Sequence, residues 1–68
     1  MKFRCKKTLT MGRFQIFEDA EARLKHIAWN MAPELSVFTL FFKADGFSLD
    51  IPQSVLMEHF EPIMEYES

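Results

Sequence analysis

Residues 35–43, Leu-Ser-Val-Phe-Thr-Leu-Phe-Phe-Lys, constrain this chain most. Read as a strand, they place Val37 and Phe41 on one face and Phe38, Leu40 and Phe42 on the other. Successive side chains of a strand point to opposite faces, so a strand apolar on both must be covered on both. Asp45-Gly46 follows, and both residue types tolerate the positive φ of a tight hairpin turn. Residues 47–51, Phe-Ser-Leu-Asp-Ile, then alternate cleanly as a return strand. The centre of the chain is therefore predicted to be a β-hairpin that the rest must cover.

Little chain remains for that task. The 68 residues suffice for one domain, residues 1–68, and a domain of this size buries only about 60% of its unfolded surface. Small domains often add disulfides or metals. A single cysteine excludes an internal disulfide, and Cys5, His26 and His59 lack the spacing of a metal site. No cofactor is expected. Stability must come from apolar burial, for which a 49% hydrophobic and 15% aromatic composition is adequate.

Residues 2–11 alternate, with Phe3, Cys5, Leu9 and Met11 on one face and only Lys7 out of phase, which predicts a half-buried strand. Gly12 marks a turn, and residues 13–17 form a second short strand with Phe14 and Ile16 on one face. Residues 18–31 read as the one long helix. Phe17, Ala20, Leu24, Ile27, Ala28 and Met31 make its apolar stripe, Asp19→Arg23 and Glu21→Lys25 are i,i+4 pairs, and Pro33 stops it. Ala22, His26 and Trp29 form a second stripe beside the first. Pro52 opens a short helix over about 53–60, with Val55, Leu56, His59 and Phe60 inward, and residues 63–67 add a last strand.

The expected fold is α+β: a small bent antiparallel sheet of four or five strands, an inserted amphipathic helix (about 18–31) and a short C-terminal helix. A partial barrel of SH3-like type is the first topology. A helix packed on an open sheet, dimerised through residues 35–43 or through the helix, is the second.

Charge is unevenly distributed. Residues 1–13 hold five cations (Lys2, Arg4, Lys6, Lys7, Arg13) and no acid, and residues 45–68 hold six acids (Asp45, Asp50, Glu58, Glu61, Glu65, Glu67) and no cation except at the histidine. Either the two ends lie side by side as paired strands, or the acids form a face that mimics DNA or docks on a basic protein. A net charge of −2 argues against a general nucleic-acid binder. No apolar run approaches the roughly 20 residues of a membrane span, and the basic start has no apolar segment behind it, so a cytoplasmic protein is expected.

No constellation carries chemistry. Cys5 reads as a small buried hydrophobe, Gly12 and Gly46 stand alone rather than in a phosphate loop, and a catalytic site is not expected. The apolar residues exceed what one helix stripe and one sheet face can cover, which points to a partner or a second copy, a dimer above all. Trp is enriched at binding hot spots, so Trp29 is the first anchor, joined by Phe14, Phe17 and His26, with Glu58, Glu61, Glu65 and Glu67 steering toward a basic surface.

The opening Lys2–Met11, the stretch Asp45–Pro52 and the tail Val55–Ile63 resemble the first strand, last hairpin and closing helix and strand of small bacteriophage-encoded proteins with an SH3-like fold. Those proteins carry a Gly-containing hairpin where residues 13–34 here read as a helix. The resemblance implies an accessory protein that binds a bacterial host or defence protein and inhibits it by occlusion, without turnover. Two alternatives belong to other classes. One is an oligomer that sequesters a nucleotide signal, with Lys2, Arg4, Lys6 and Arg13 on the phosphates. The other is a small nucleic-acid-binding module of SH3-like type using the basic N-terminal strand.

Overall fold

A computed structural model describes residues 1–64. Seven strands follow in chain order: β1 (Lys2–Cys5), β2 (Leu9–Met11), β3 (Phe14–Ile16), β4 (Glu21–Ala28), β5 (Val37–Phe42), β6 (Phe47–Pro52) and β7 (Phe60–Ile63). A 3-10 turn at Pro33–Leu35 precedes β5, and a helix α1 (Gln53–His59) joins β6 to β7. Five strands form an open antiparallel sheet in the order β6-β5-β4-β1-β7, and β2 and β3 form a separate two-stranded ribbon. The architecture is thus α+β, dominated by antiparallel sheet.

The largest departure from expectation is residues 18–31, which hold no helix. Residues 21–28 are β4, paired with β1 on one side and β5 on the other. The stripe assigned to a helix dissolves accordingly: Phe17, Ala28 and Met31 are exposed, whereas Ala22, placed outside it, is buried. The helix-on-sheet topology falls with it. The cause is a β-bulge between Leu24 and His26. An extra residue in one strand resets the alternation. Leu24 and Ile27 therefore both face inward, opposite Leu40 and Phe38, although they stand three apart. That spacing imitates a helical stripe.

The long first strand expected over 2–11 is broken at 6–8, where Lys7 interrupts the alternation, and continues as β2 in the ribbon. Phe3, Cys5 and Leu9 are nevertheless all buried. Gly12, with φ +57°, supplies the turn of the ribbon. The hairpin read over 35–51 is present with shifted bounds. The strand expected at 35–43 is β5 at 37–42, because Leu35 lies in the 3-10 turn. It buries Phe38, Leu40 and Phe42, and Gly46 (φ +68°) turns the chain into β6, which extends to Pro52. The short helix ends at His59, one residue early, because Phe60 begins β7. The last strand expected at 63–67 lies instead at 60–63, and residues 65–68 are outside the described residues.

Leu56 and Phe60 cap the inner face of the sheet, meeting Phe3, Cys5, Ala22, Leu40 and Ile51 in one apolar cluster. Ring contacts carry the core outward: Phe60 lies tilted against Phe42 (6.3 Å between centroids), and Phe42 stacks on Phe47 (5.0 Å) and Phe47 on Phe14 (5.9 Å). Aromatic pairs at such separations add to burial. Through Phe14 the ribbon is docked onto β6.

Candidate functional site

β1 and β7 run side by side, with Arg4 opposite Glu61 and Lys2 opposite Ile63. Arg4 donates from Nε to Glu61 Oε1 (3.1 Å), makes a second contact to the same oxygen through Nη2, and reaches Asp19 through Nη1 (2.8 Å). Lys7 Nζ lies 3.2 Å from Glu58 Oε1. Two cations of the basic beginning are therefore paired with acids near the end of the described chain, Arg4 across the β1–β7 pair and Lys7 from beyond β1 to α1. Asp19 reaches Arg4 from the third position of a Phe17–Ala20 turn at φ +78°, a conformation Asp tolerates better than most residues. Hydrogen bonding and attraction from Glu61 and Asp19 raise the Arg4 guanidinium pKa. Hydrogen bonding and attraction from Lys7 lower that of Glu58. Glu58 and Glu61 thus sit in internal ion pairs, while Glu65 and Glu67 are outside the described residues.

Cys5 is fully buried. Its thiol donates to Lys7 O (3.1 Å), with Ile16 O at 3.6 Å, and burial pushes its pKa up. A neutral, enclosed thiol is a poor nucleophile. Among the described residues no three His, Cys, Asp or Glu side chains gather at a point. His59 Nδ1–H donates to Lys7 O (2.9 Å) and so ties the end of α1 to the segment after β1.

Trp29 and His26 part company. His26 pairs with Thr39 on the outer face of the sheet, while Trp29, just beyond β4, packs edge-on against Phe38 from the inner face (6.1 Å, 74°). Trp29 remains 73% exposed. It forms one wall of an open groove of ≈ 610 Å³. The groove is lined further by buried Phe3, Phe38 and Phe60, by Pro33, and by Leu56 and Met57 of α1, and Lys6 and Glu61 supply its charge. Sequence reading found Trp29 but not its neighbours, because β1, β7, the 29–36 loop and α1 meet only in three dimensions.

The loop carrying Trp29 is held by groups that draw no attention in sequence. Buried Ser36 accepts the Asn30 N–H at Oγ (3.0 Å) and the Gln53 N–H at its carbonyl (2.8 Å), joining the loop to the start of α1. Asn30 Oδ1 in turn accepts the Ala32 N–H (3.0 Å). Asn and Ser beside Pro are turn formers, the one local signal available.

The other predicted residues are dispersed. Phe14 stacks on Phe47, and Phe17 is exposed beyond β3. Of the four cations assigned to phosphates, Lys2 lies on the outer face, Arg4 bridges two acids, Lys6 borders the Trp29 groove and Arg13 sits in the ribbon turn. No helix among the described residues is long and apolar enough to cross a membrane. Comparison with family models, curated proteins and solved structures finds no significant match.

Proposed function

We propose that this chain is a non-catalytic interaction module that docks on another protein through the Trp29 groove and acts by occlusion. The observation that carries this reading is the groove itself, lined by an exposed tryptophan and an exposed methionine, Met57, together with the buried aromatic residues Phe3, Phe38 and Phe60. Large apolar side chains left in water beside a concavity are the usual mark of a binding surface. The loop is anchored through Ser36, so Trp29 is presented with little ordering left to pay for.

An SH3-like architecture is supported by the adjacency of the first and last strands, the hairpin ribbon inserted after β1 and the short helix directly before β7. The helix expected over about 18–31 is absent, and that segment holds β4 instead. The phage resemblance supplies the setting of the proposal, a bacterial protein as target.

Trp29→Ala tests the reading. Tagged wild-type protein captures a stoichiometric partner from bacterial lysate, and Trp29→Ala loses it while far-UV circular dichroism stays unchanged. Equal capture by the variant removes the groove from the proposal. Concentration-dependent dimerisation in sedimentation, abolished by the same substitution, would assign the groove to a second copy.

A further inference from the structure

The outer face of the sheet, opposite the core, carries a second surface. We infer that the cationic, aromatic face formed by β4 and the end of β5 binds single-stranded RNA, a role separate from the Trp29 groove. A depression of ≈ 900 Å³ is lined there by Arg23, Phe41 and Lys43 together with Lys2, Glu21 and Asp19. Register aligns the row: Arg23 stands directly opposite Phe41 on one side and Lys2 on the other. Neighbouring strands are about 4.8 Å apart, so two cations and an aromatic ring fall within about 10 Å.

The bulge in β4 adds to the patch. Lys25 is the extra residue, and its ammonium lies over the Phe41 ring, 5.3 Å from the centroid, so that a base stacking on that face takes the place of the ammonium. The bulge also returns His26 to the outer face, opposite Thr39. The side chains of Arg23 and Lys43 make no hydrogen bond or ion pair among the described residues. In a chain of net charge −2, Arg23, Lys25 and Lys43 thus stand around one half-buried ring, with the carboxylates of Asp19 and Glu21 on the same depression.

This combination selects the ligand. Cations beside an aromatic platform fit phosphates and an unstacked base, the recognition mode of single strands. A duplex keeps its bases stacked and would leave Phe41 unused. An acidic peptide would use the cations alone. Glu21 argues for ribose: its carboxylate takes no hydrogen bond among the described residues, and it can accept a 2′-OH that DNA lacks.

The test is fluorescence anisotropy of a labelled oligouridylate of about ten nucleotides at low salt, with oligothymidylate of equal length in parallel. Binding is expected with a log–log salt slope of about −2, the value for roughly three phosphate contacts. Arg23→Glu/Lys43→Glu and Phe41→Thr are each expected to weaken it at least about tenfold. Lys43→Gln, beyond the end of β5, provides a milder variant that preserves the strands and is expected to lower the magnitude of the slope by about 0.7. Trp29→Ala is expected to leave RNA binding intact, which separates this site from the groove. Glu21→Ala is expected to narrow the preference for RNA over DNA. Absence of an anisotropy change, undiminished binding by the folded double variant, equal affinity for oligothymidylate, or displacement by polyglutamate as effective as by unlabelled RNA would each overturn the assignment.

Discussion

β4 and β5 are neighbours in one sheet, paired residue by residue, yet they do different work. β5 buries Phe38, Leu40 and Phe42 and keeps Val37, Thr39 and Phe41 half-covered on its outer side. β4 buries only Ala22, half-buries Leu24 and Ile27, and turns Glu21, Arg23, Lys25 and His26 to solvent. A sheet of this size needs one strand to anchor the core and can spare the next as a scaffold. In β4, pairing on both edges holds the backbone, which leaves the outward side chains available for a ligand.

The row Leu24–Leu40 puts that contrast to its sharpest test, since the two residues face each other directly. Leu40→Ala, at a fully buried site, is expected to cost about 3–5 kcal/mol and to leave so small a domain largely unfolded, as read by chemical denaturation. Leu24→Ala removes the same atoms from a half-buried site and is expected to cost about 1–2 kcal/mol. Equal losses would mean that β4 is as much core as β5. Ser36→Ala, just before β5, is expected to cost about 1 kcal/mol by leaving the Asn30 N–H without its acceptor, and to weaken capture of a groove partner. Lys25→Ala, which releases only the contact over Phe41, should change stability by less than about 0.5 kcal/mol in a thermal melt while still lowering RNA affinity.

The β1–β7 seam lies outside both strands and supplies a pH control. Lys7 holds the Glu58 carboxyl below the ordinary range, so this pair's contribution is present above the unfolded-state value and is lost as pH falls through the lowered one. Wild type is therefore expected to lose slightly more stability than Glu58→Gln on acidification from roughly pH 5 downward, the smallest effect of the set. Parallel acid profiles would show that the pair contributes nothing measurable.

The strands that were legible in sequence are those whose pattern is local. Alternation across 47–51, the double-sided run at 35–43, Asp45-Gly46 and Pro52 all report backbone geometry through their own neighbours. β4 was illegible for two reasons. Its Glu, Ala, Arg, Leu and Lys residues favour helices, and the bulge at Lys25 sets Leu24 and Ile27 three apart. Pairing with β1 and β5 overrides that preference, because two flanking strands offer hydrogen bonds and burial that an isolated helix on this surface would not find. The charge asymmetry was legible as a choice between two meanings, and the Arg4–Glu61 and Lys7–Glu58 contacts show the ends lying paired.

From sequence alone came the central hairpin, the short helix after Pro52, the apolar face of the first strand and the dependence on burial without disulfides. Tertiary structure alone decided that residues 21–28 are extended, that Trp29 shares a groove with residues of α1, and that Arg23, Lys25 and Lys43 gather around Phe41. The division has one physical reason. Turns and alternation are set by adjacent residues, whereas a groove or a charged face is made by side chains from different strands whose register no local pattern specifies.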